Sequence, residues 1–184
     1  VYIRCSTHKI DQLQRKVNSE LANNIIKGAY WLHEPRPNCE LIIAYQGVIA
    51  PEAIMATGLL AEDRKDIGLL SITSSDRLNA GWKLACSARA KGQLAVESHI
   101  EKLLAGIPYS SSIITVVDAH PATLAWLGSV HGHRTVPLGV EHFGQTGTIK
   151  ELYELFGINA QAIIDAAQSL PKNRPIRHAR IAKN

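Results

Sequence analysis

The stretch from Glu141 to Thr148 carries the densest group of side chains that could do chemistry. Within eight residues it holds a carboxylate, an imidazole, an amide, two hydroxyls and two glycines. The Gly-x-x-Gly spacing stands before a helical pattern, so free backbone amides could bind an anion there. The stretch has neither the glycine pattern of a dinucleotide site nor the lysine of a phosphate-binding loop. We therefore favour a strand-to-helix turn, and its candidate loop or interface residues are Glu141, His142, Gln145 and Thr146.

Asp118 and His120 are a second candidate pair, because they follow the β-branched run Ile113–Val117. Open sheets bind ligands at the carboxyl ends of their strands, and an Asp-x-His pair can orient a general base. Pro121 comes next, and we favour the interpretation that Asp118 and His120 cap a helix there. A hydrolase using this pair lacks a nucleophile, since the chain has no Gly-x-Ser-x-Gly elbow.

Other polar side chains suggest less. His131 and His133 are two residues apart and could begin a metal site, but the sequence fixes no third ligand, and we expect no metal. His99 and Glu101 are expected on a solvated helix face.

Three continuous apolar runs predict buried strands, at Leu41–Tyr45, Ile67–Ile72 and Ile113–Val117. Thr135–Glu141 predicts a fourth strand, at an edge because it contains Pro137. Helical spacing and caps lie between and after these runs. The predicted helical segments are Pro51–Ala61, Ser74–Ala85, Val96–Ile107, Pro121–Val130, Thr148–Phe156 and Asn159–Leu170. This alternation predicts an α/β fold, a three-layer α/β/α domain with a mostly parallel sheet of about four to five strands.

The first 38 residues differ from this pattern. Residues 1–6 alternate like a short strand, and Trp31, Pro35, Pro37 and Asn38 indicate a surface linker. We place a domain boundary here, with residues 1–38 as an end strand of a preceding domain plus a linker and residues 39–184 as the main domain. The chain begins at Val1 without methionine, which suggests a piece of a longer protein.

Composition excludes several classes. The 184 residues are 46% hydrophobic and 20% charged, as in a globular domain. The net charge of +4 owes much to a basic tail after residue 171, and no basic helix with interleaved aromatics indicates nucleic-acid binding. Three cysteines without CxxC spacing favour a reducing, cytoplasmic location. No apolar run approaches the ~20 residues of a membrane span.

Longer motifs carry a family resemblance. The segments Asp118–Gly128 and Val136–Gly147 resemble the C-terminal domain of transketolase-like enzymes. The likeness is closest to the homodimeric, thiamine-diphosphate-dependent pyruvate dehydrogenase component that decarboxylates the substrate. Residues 45–47 and 51–53 resemble the first strand and helix of this C-terminal domain, and Phe156–Ile158 resembles its closing pattern. Val1–Thr7 is similar to the last strand of the preceding pyrimidine-binding domain.

The resemblance implies the C-terminal structural and dimerisation domain of an enzyme that decarboxylates a 2-keto acid and passes the acyl group to a lipoyl carrier. It implies thiamine diphosphate and magnesium in the parent enzyme, held by a Gly-Asp-Gly…Asn-Asn motif of another domain. Asn23-Asn24 has no Gly-Asp-Gly before it, and the cofactor-activating glutamate belongs to the middle domain. We therefore expect no catalytic residue, no bound cofactor and no activity in this chain alone.

The expected partners are the N-terminal and middle domains of the parent enzyme, a second copy in a homodimer, and the acyltransferase component of the complex. Two alternatives stay open. The parent could be a transketolase proper, or the chain could be a stand-alone regulatory module that binds an anion at the 141–148 loop.

Overall fold

The computed structural model describes residues 9–10, 14–142 and 144–170 of the chain. Within them, five strands form one sheet: β1 (Ala29–His33), β2 (Leu41–Gln46), β3 (Ile67–Ile72), β4 (Ser112–Val117) and β5 (Arg134–Leu138). The α-helices are α1 (Ser19–Lys27), α2 (Ala50–Asp63), α3 (Ser75–Ala90), α4 (His99–Leu104), α5 (Ala122–Ala125), α6 (Ile149–Leu155) and α7 (Ala160–Ser169). Short 3-10 turns cover Gly47–Ile49 and Trp126–Ser129.

The strands lie in the order β1-β3-β2-β4-β5. β2 pairs in parallel with both β3 and β4, β4 pairs in parallel with β5, and β1 runs antiparallel to β3. Because β2 is central, Leu41 is paired with Ile67 on one side and Ser112 on the other. The predicted α/β/α architecture with a mostly parallel sheet is confirmed.

The core lies on both faces of the sheet, since side chains of β2 alternate between them. Leu41 and Ile43 join a cluster with residues of α2 and α7, whereas Ile42 and Ala44 join a cluster with residues of α3 and α4. Burying one such large aliphatic side chain is worth roughly 1.5–3 kcal/mol. This two-sided burial explains why these strands are continuous apolar runs in the sequence.

Helix starts follow the predicted capping chemistry. The side chains of Ser74, Thr148 and Asn159 accept hydrogen bonds from the first-turn amides of α3, α6 and α7. Pro51 stands in the first turn of α2, as its missing N–H allows. None of the helices in the described part of the chain is long and apolar enough to cross a membrane.

The interpretation of Trp31 as part of a linker is wrong. Trp31 lies in β1, opposite Leu70 of β3, and its indole N–H donates to the Leu103 carbonyl oxygen at 3.1 Å. The sheet therefore begins before the predicted boundary at residue 38, although a separate preceding domain stays a prediction. The strand predicted at residues 1–6 and the basic tail lie outside the described residues.

The solvated face predicted for His99 and Glu101 is also wrong. His99 Nε2 lies 2.9 Å from the Ala29 carbonyl oxygen, so the ring links α4 to the start of β1. Glu101 is only 8% exposed and forms an ion pair with Arg89 of α3 at 2.6 Å. Each side chain has a partner on another element, Ala29 of β1 for His99 and Arg89 of α3 for Glu101, and so leaves the solvated face.

Three boundaries differ from expectation. Val96 and Ile107 lie outside α4, which ends at Leu104. The helix at Pro121 is one turn of α-helix followed by a 3-10 turn. The fourth predicted strand ends at Leu138, and Pro137 lies in β5 at the edge of the sheet, as predicted.

Replacing Gly128 by alanine should destabilise the fold. A Cβ atom there would lie 1.9 Å from Thr135 Oγ1 and 2.8 Å from the His133 carbonyl oxygen, so backbone must move. We expect a loss of about 1–3 kcal/mol in urea unfolding. Gly58→Ala is the control, because a Cβ atom at this exposed position of α2 would meet nothing within 4 Å. This substitution should stabilise the protein by about 0.5–1 kcal/mol, since alanine favours a helix more than glycine does. Equal stability of the two variants would contradict the prediction.

Glu101 should make stability depend on pH. Burial raises the pKa of its carboxyl, but hydrogen bonds from Arg89 and Ser98 outweigh burial and leave the pKa below its ordinary value. A depressed folded pKa stabilises the protein above the unfolded pKa of about 4.3, and this contribution disappears as pH falls through the folded value. Glu101→Gln should therefore be less stable than the parent near neutral pH.

The difference in free energy of unfolding between Glu101→Gln and the parent should narrow below about pH 4, as measured by urea unfolding. Glu97→Gln, at an exposed position, is the matched control. Parallel pH profiles for the parent and Glu101→Gln would refute the role of the ion pair.

Candidate functional site

The loops that follow β4 and β5 are joined at the carboxyl edge of the sheet. Val140 N donates to the Ala119 carbonyl oxygen at 2.9 Å. A Cβ atom at Gly139 would lie 2.5 Å from the same oxygen and 2.8 Å from Pro121 N, so only glycine permits this approach. The contact brings the loop holding Asp118 and His120 next to the segment leading to Glu141.

Asp118 and His120 are both exposed. His120 Nδ1 accepts a hydrogen bond from Ala122 N at 3.2 Å, so its ring caps the turn after Pro121, as predicted for this residue. The cap predicted for Asp118 is not seen among the described residues. Asp118 faces α6, where burial raises the pKa of Tyr153 and the negative charges of Asp118 and Glu52 raise it further. Among the described residues, no hydrogen bond from the His120 imidazole to the Asp118 carboxylate orients the ring as a general base.

The 141–148 loop is exposed throughout its described residues. Glu141, His142, Gln145 and Thr146 all face solvent, and Phe143 lies outside the described residues. Their assignment as interface residues stays a prediction, because the chain has no partner here.

The start of α6 is already occupied by its own side chains. Thr148 N donates to Glu151 Oε2 at 2.8 Å, and Glu151 N donates to Thr148 Oγ1 at 3.4 Å. The carboxylate of Glu151 thus occupies the place that a bound anion would take, and hydrogen bonds from the Thr148 backbone N–H and hydroxyl lower its pKa. This capping box confirms the strand-to-helix turn.

The residues present do not fit the diphosphate and magnesium of thiamine diphosphate. Asn23 and Asn24 lie inside α1, where Asn24 O accepts from Gly28 N as ordinary helix backbone. Within the described ranges no three His, Cys, Asp or Glu side chains come together as metal ligands.

The buried groups at the amino edge of the sheet are structural. His133 is 5% exposed, and its Nδ1 lies 3.2 Å from the Ser111 carbonyl oxygen, while burial lowers its pKa. Its ring packs edge-on against His131 at 6.2 Å between centroids. Burial raises the pKa of Cys39 to about 11, so its thiol is unreactive at neutral pH.

A cleft at the carboxyl ends of β2 and β3 was missed by the sequence analysis. Its volume is about 870 Å³. The lining comes from five separate parts of the chain, among them Arg15, Tyr30, Gln46, Ser71 and Tyr153. No local motif joins these residues, and only the general rule that parallel sheets bind ligands at this edge could have indicated the cleft.

Fold and site together define a doubly wound α/β domain whose carboxyl edge has an exposed loop pair and a separate cleft, without an assembled catalytic group in its described residues. The sequence profile of the transketolase-like TK C-terminal domain matches residues 28–159. The chain therefore belongs to the transketolase C-terminal domain family.

Solved structures agree in fold. The chain is 19% identical to transketolase from Campylobacter jejuni, with a TM-score of 0.55 over 78% of this chain and 18% of that one. Transketolase from Leishmania mexicana gives 16% identity and a TM-score of 0.57 over 80% and 18% of the two chains. A structure described as a split gene transketolase, an inactive β4 tetramer, gives 17% identity and 0.52 over 78% and 42%. The chain thus spans less than half the length of each of these proteins.

No curated protein matches this chain. The family assignment therefore rests on the sequence profile, and the solved structures support the fold.

Removing the cap of α6 should loosen the helix after the candidate loop. Thr148→Ala loses the hydroxyl that accepts from Glu151 N, which costs about 1 kcal/mol at a typical N-cap. Amide hydrogen exchange at Leu152 and Tyr153 should become faster. Thr146→Ala, exposed in the same loop, is the control and should leave exchange unchanged. Unaltered exchange in Thr148→Ala would show that the capping box does not hold α6.

Proposed function

We propose that the chain is the C-terminal structural and dimerisation domain of a thiamine-diphosphate-dependent enzyme and is inactive alone. The observation that carries the proposal is the family match over residues 28–159, well over half of the chain. It is supported by the exposed positions of Asp118, Glu141 and His142 at the edge where such sheets bind ligands. It is also supported by Asn23 and Asn24, whose helical position does not suit a magnesium site.

The catalytic residues, thiamine diphosphate and magnesium are then supplied by N-terminal and middle domains, and the active assembly contains two copies of this domain. One similar structure, the split gene transketolase in the form of an inactive β4 tetramer, favours this view, because it too comes from a divided enzyme and is inactive. We place the assembly in the cytoplasm, in keeping with three cysteines that have no disulfide or metal spacing.

Two reactions are proposed as alternatives for the parent enzyme. Sequence likeness at Val136–Gly147 favours a pyruvate dehydrogenase-like oxidoreductase, which decarboxylates a 2-keto acid and passes the acyl group to a lipoyl carrier on an acyltransferase component. The solved neighbours favour a transketolase, a transferase, equally well. The expected catalytic groups belong to the other domains of the parent enzyme, so the side chains described in this domain do not decide between the two reactions.

The 184-residue chain should neither bind thiamine diphosphate nor turn over substrate. Calorimetric titration with thiamine diphosphate and magnesium should give no saturable heat, and assays with pyruvate or with ketose phosphates should give no turnover. An intact transketolase is the positive control for the titration and the ketose phosphate assay, and an intact pyruvate dehydrogenase is the positive control for the pyruvate assay. Stoichiometric cofactor binding or turnover by the chain would overturn the proposal.

Sedimentation of the same chain tests the dimerisation role. We expect a dimer that dissociates on dilution, because one domain contributes only part of the interface of the parent enzyme. A monomer at all concentrations would remove the dimerisation role and leave the family assignment intact.

The native assembly separates the two reactions. When it is purified from its own cells through a tag on this chain, it should contain thiamine-binding domains. Activity with pyruvate and a lipoyl acceptor identifies the dehydrogenase, whereas activity with ketose and aldose phosphates identifies the transketolase.

A further inference from the structure

The cleft at the carboxyl ends of β2 and β3 is built like a small-molecule site. Its volume of about 870 Å³ falls in the range of roughly 300–1,000 Å³ typical of such sites. The lining includes Tyr45 and Gln46 at the end of β2 and Gly47 just after it. It also includes Ser71 of β3 and Thr73 just after that strand. The lining of this cleft includes no residue of the 141–148 loop, and an inference about the cleft does not rest on the proposed function.

Positive charge dominates the rim of the cleft. Lys9 and Arg15 are exposed there, and the acidic residue of the lining is Glu52. Glu52 Oε2 accepts from Ala160 N at 2.7 Å, so its negative charge is directed to the start of α7. The two cations therefore leave an excess of positive charge for a ligand.

Arg15 is held in place before any ligand arrives. Its guanidinium carbon lies 4.4 Å from the centroid of the Tyr30 ring, and one of its N–H groups donates to the Tyr30 hydroxyl. Within the described residues it forms no ion pair with a carboxylate. A guanidinium has five N–H donors, so most of its hydrogen-bonding capacity remains for a ligand.

The start of α2 adds to the same attraction. This helix has 14 residues, and no side chain caps its first turn. Its N-terminal end carries partial positive charge, which favours an anion. Beside it, a Cβ atom at Gly47 would meet nothing within 4 Å, so the backbone here is open.

The floor and walls suit a ligand with a body as well as a charge. Ile54, Ile72 and Tyr153 supply apolar surface, and Ile149 lies at the rim with 42% of its surface exposed. A free inorganic anion would leave this apolar wall uncovered.

We propose that the cleft binds an organic phosphate monoester, with its phosphate against Arg15 and the start of α2 and its apolar body against Ile149 and Tyr153. An arginine fork and a helix N-terminus are both suited to phosphate oxygens.

Phenyl phosphate is the probe, titrated into the 184-residue chain by calorimetry, with amide shifts followed by NMR. We expect saturable binding, with shifts at Gly47 and Thr73, and an affinity at least about tenfold higher than for phenol or inorganic phosphate. Absence of saturable binding, or equal affinity for phenol, would overturn the proposal.

Two variants localise the binding. Arg15→Gln should weaken phenyl phosphate binding by roughly ten- to a hundredfold, as the loss of a charge-assisted hydrogen bond predicts. Ile149→Glu adds a carboxylate at the rim and should weaken binding by repulsion, while acidic residues suit the first turn of α6. This second variant keeps the test valid if Arg15→Gln alters folding.

Arg36→Gln is the matched control. Arg36 is exposed at the opposite edge of the sheet, where its carbonyl oxygen accepts from Cys39 N just before β2. Its affinity for phenyl phosphate should stay within about twofold of the parent. Equal affinity in the parent, Arg15→Gln and Ile149→Glu would overturn the assigned site.

Discussion

The parallel pairing of β2 with both of its neighbours is the constraint on which the rest of the domain depends. β3 and β4 each lie beside β2 in continuous register, so a helical crossover must follow β2 and β3 to return the chain to the amino edge. α2 covers one face on its return, and α3 with α4 covers the other. Burial on both faces then requires the strands to be apolar. Parallel pairing also places the carboxyl ends of β2, β3, β4 and β5 at one edge of the sheet.

The predictability of the fold follows from this constraint. β2, β3 and β4 are apolar over their whole length because they are buried twice, so a local pattern is enough to predict them. β1 could not be recognised, because its membership of the sheet depends on pairing Ala29 with Ile72, far along the chain. The same reason explains Glu101, whose burial depends on Arg89 on another helix. Helix caps such as Thr148 can be predicted from local sequence, since both partners of that cap lie within one turn.

The candidate site shows the opposite balance. The 141–148 loop attracted attention because its polar residues are adjacent in sequence, yet its turn is explained by the box between Thr148 and Glu151. The cleft beside β2 escaped notice because Arg15, Tyr30 and Tyr153 are separated by long stretches of chain. The adjacent polar residues of the 141–148 loop include side chains that bond the backbone at the start of α6. A binding site requires side chains from distant parts of the chain to come together in space, as they do in the cleft.

The two halves of the carboxyl edge therefore differ for a structural reason. Over β4 and β5, the bond from Val140 N to Ala119 O and the close approach at Gly139 bring the two loops together. Over β2 and β3, the chain leaves Gly47 open, and α2 starts without a side-chain cap. The partial positive charge at the start of α2 therefore lies beside open space, where it favours an anion. The half that is open, and not the half that is richest in polar sequence, is where the described residues leave room for a ligand.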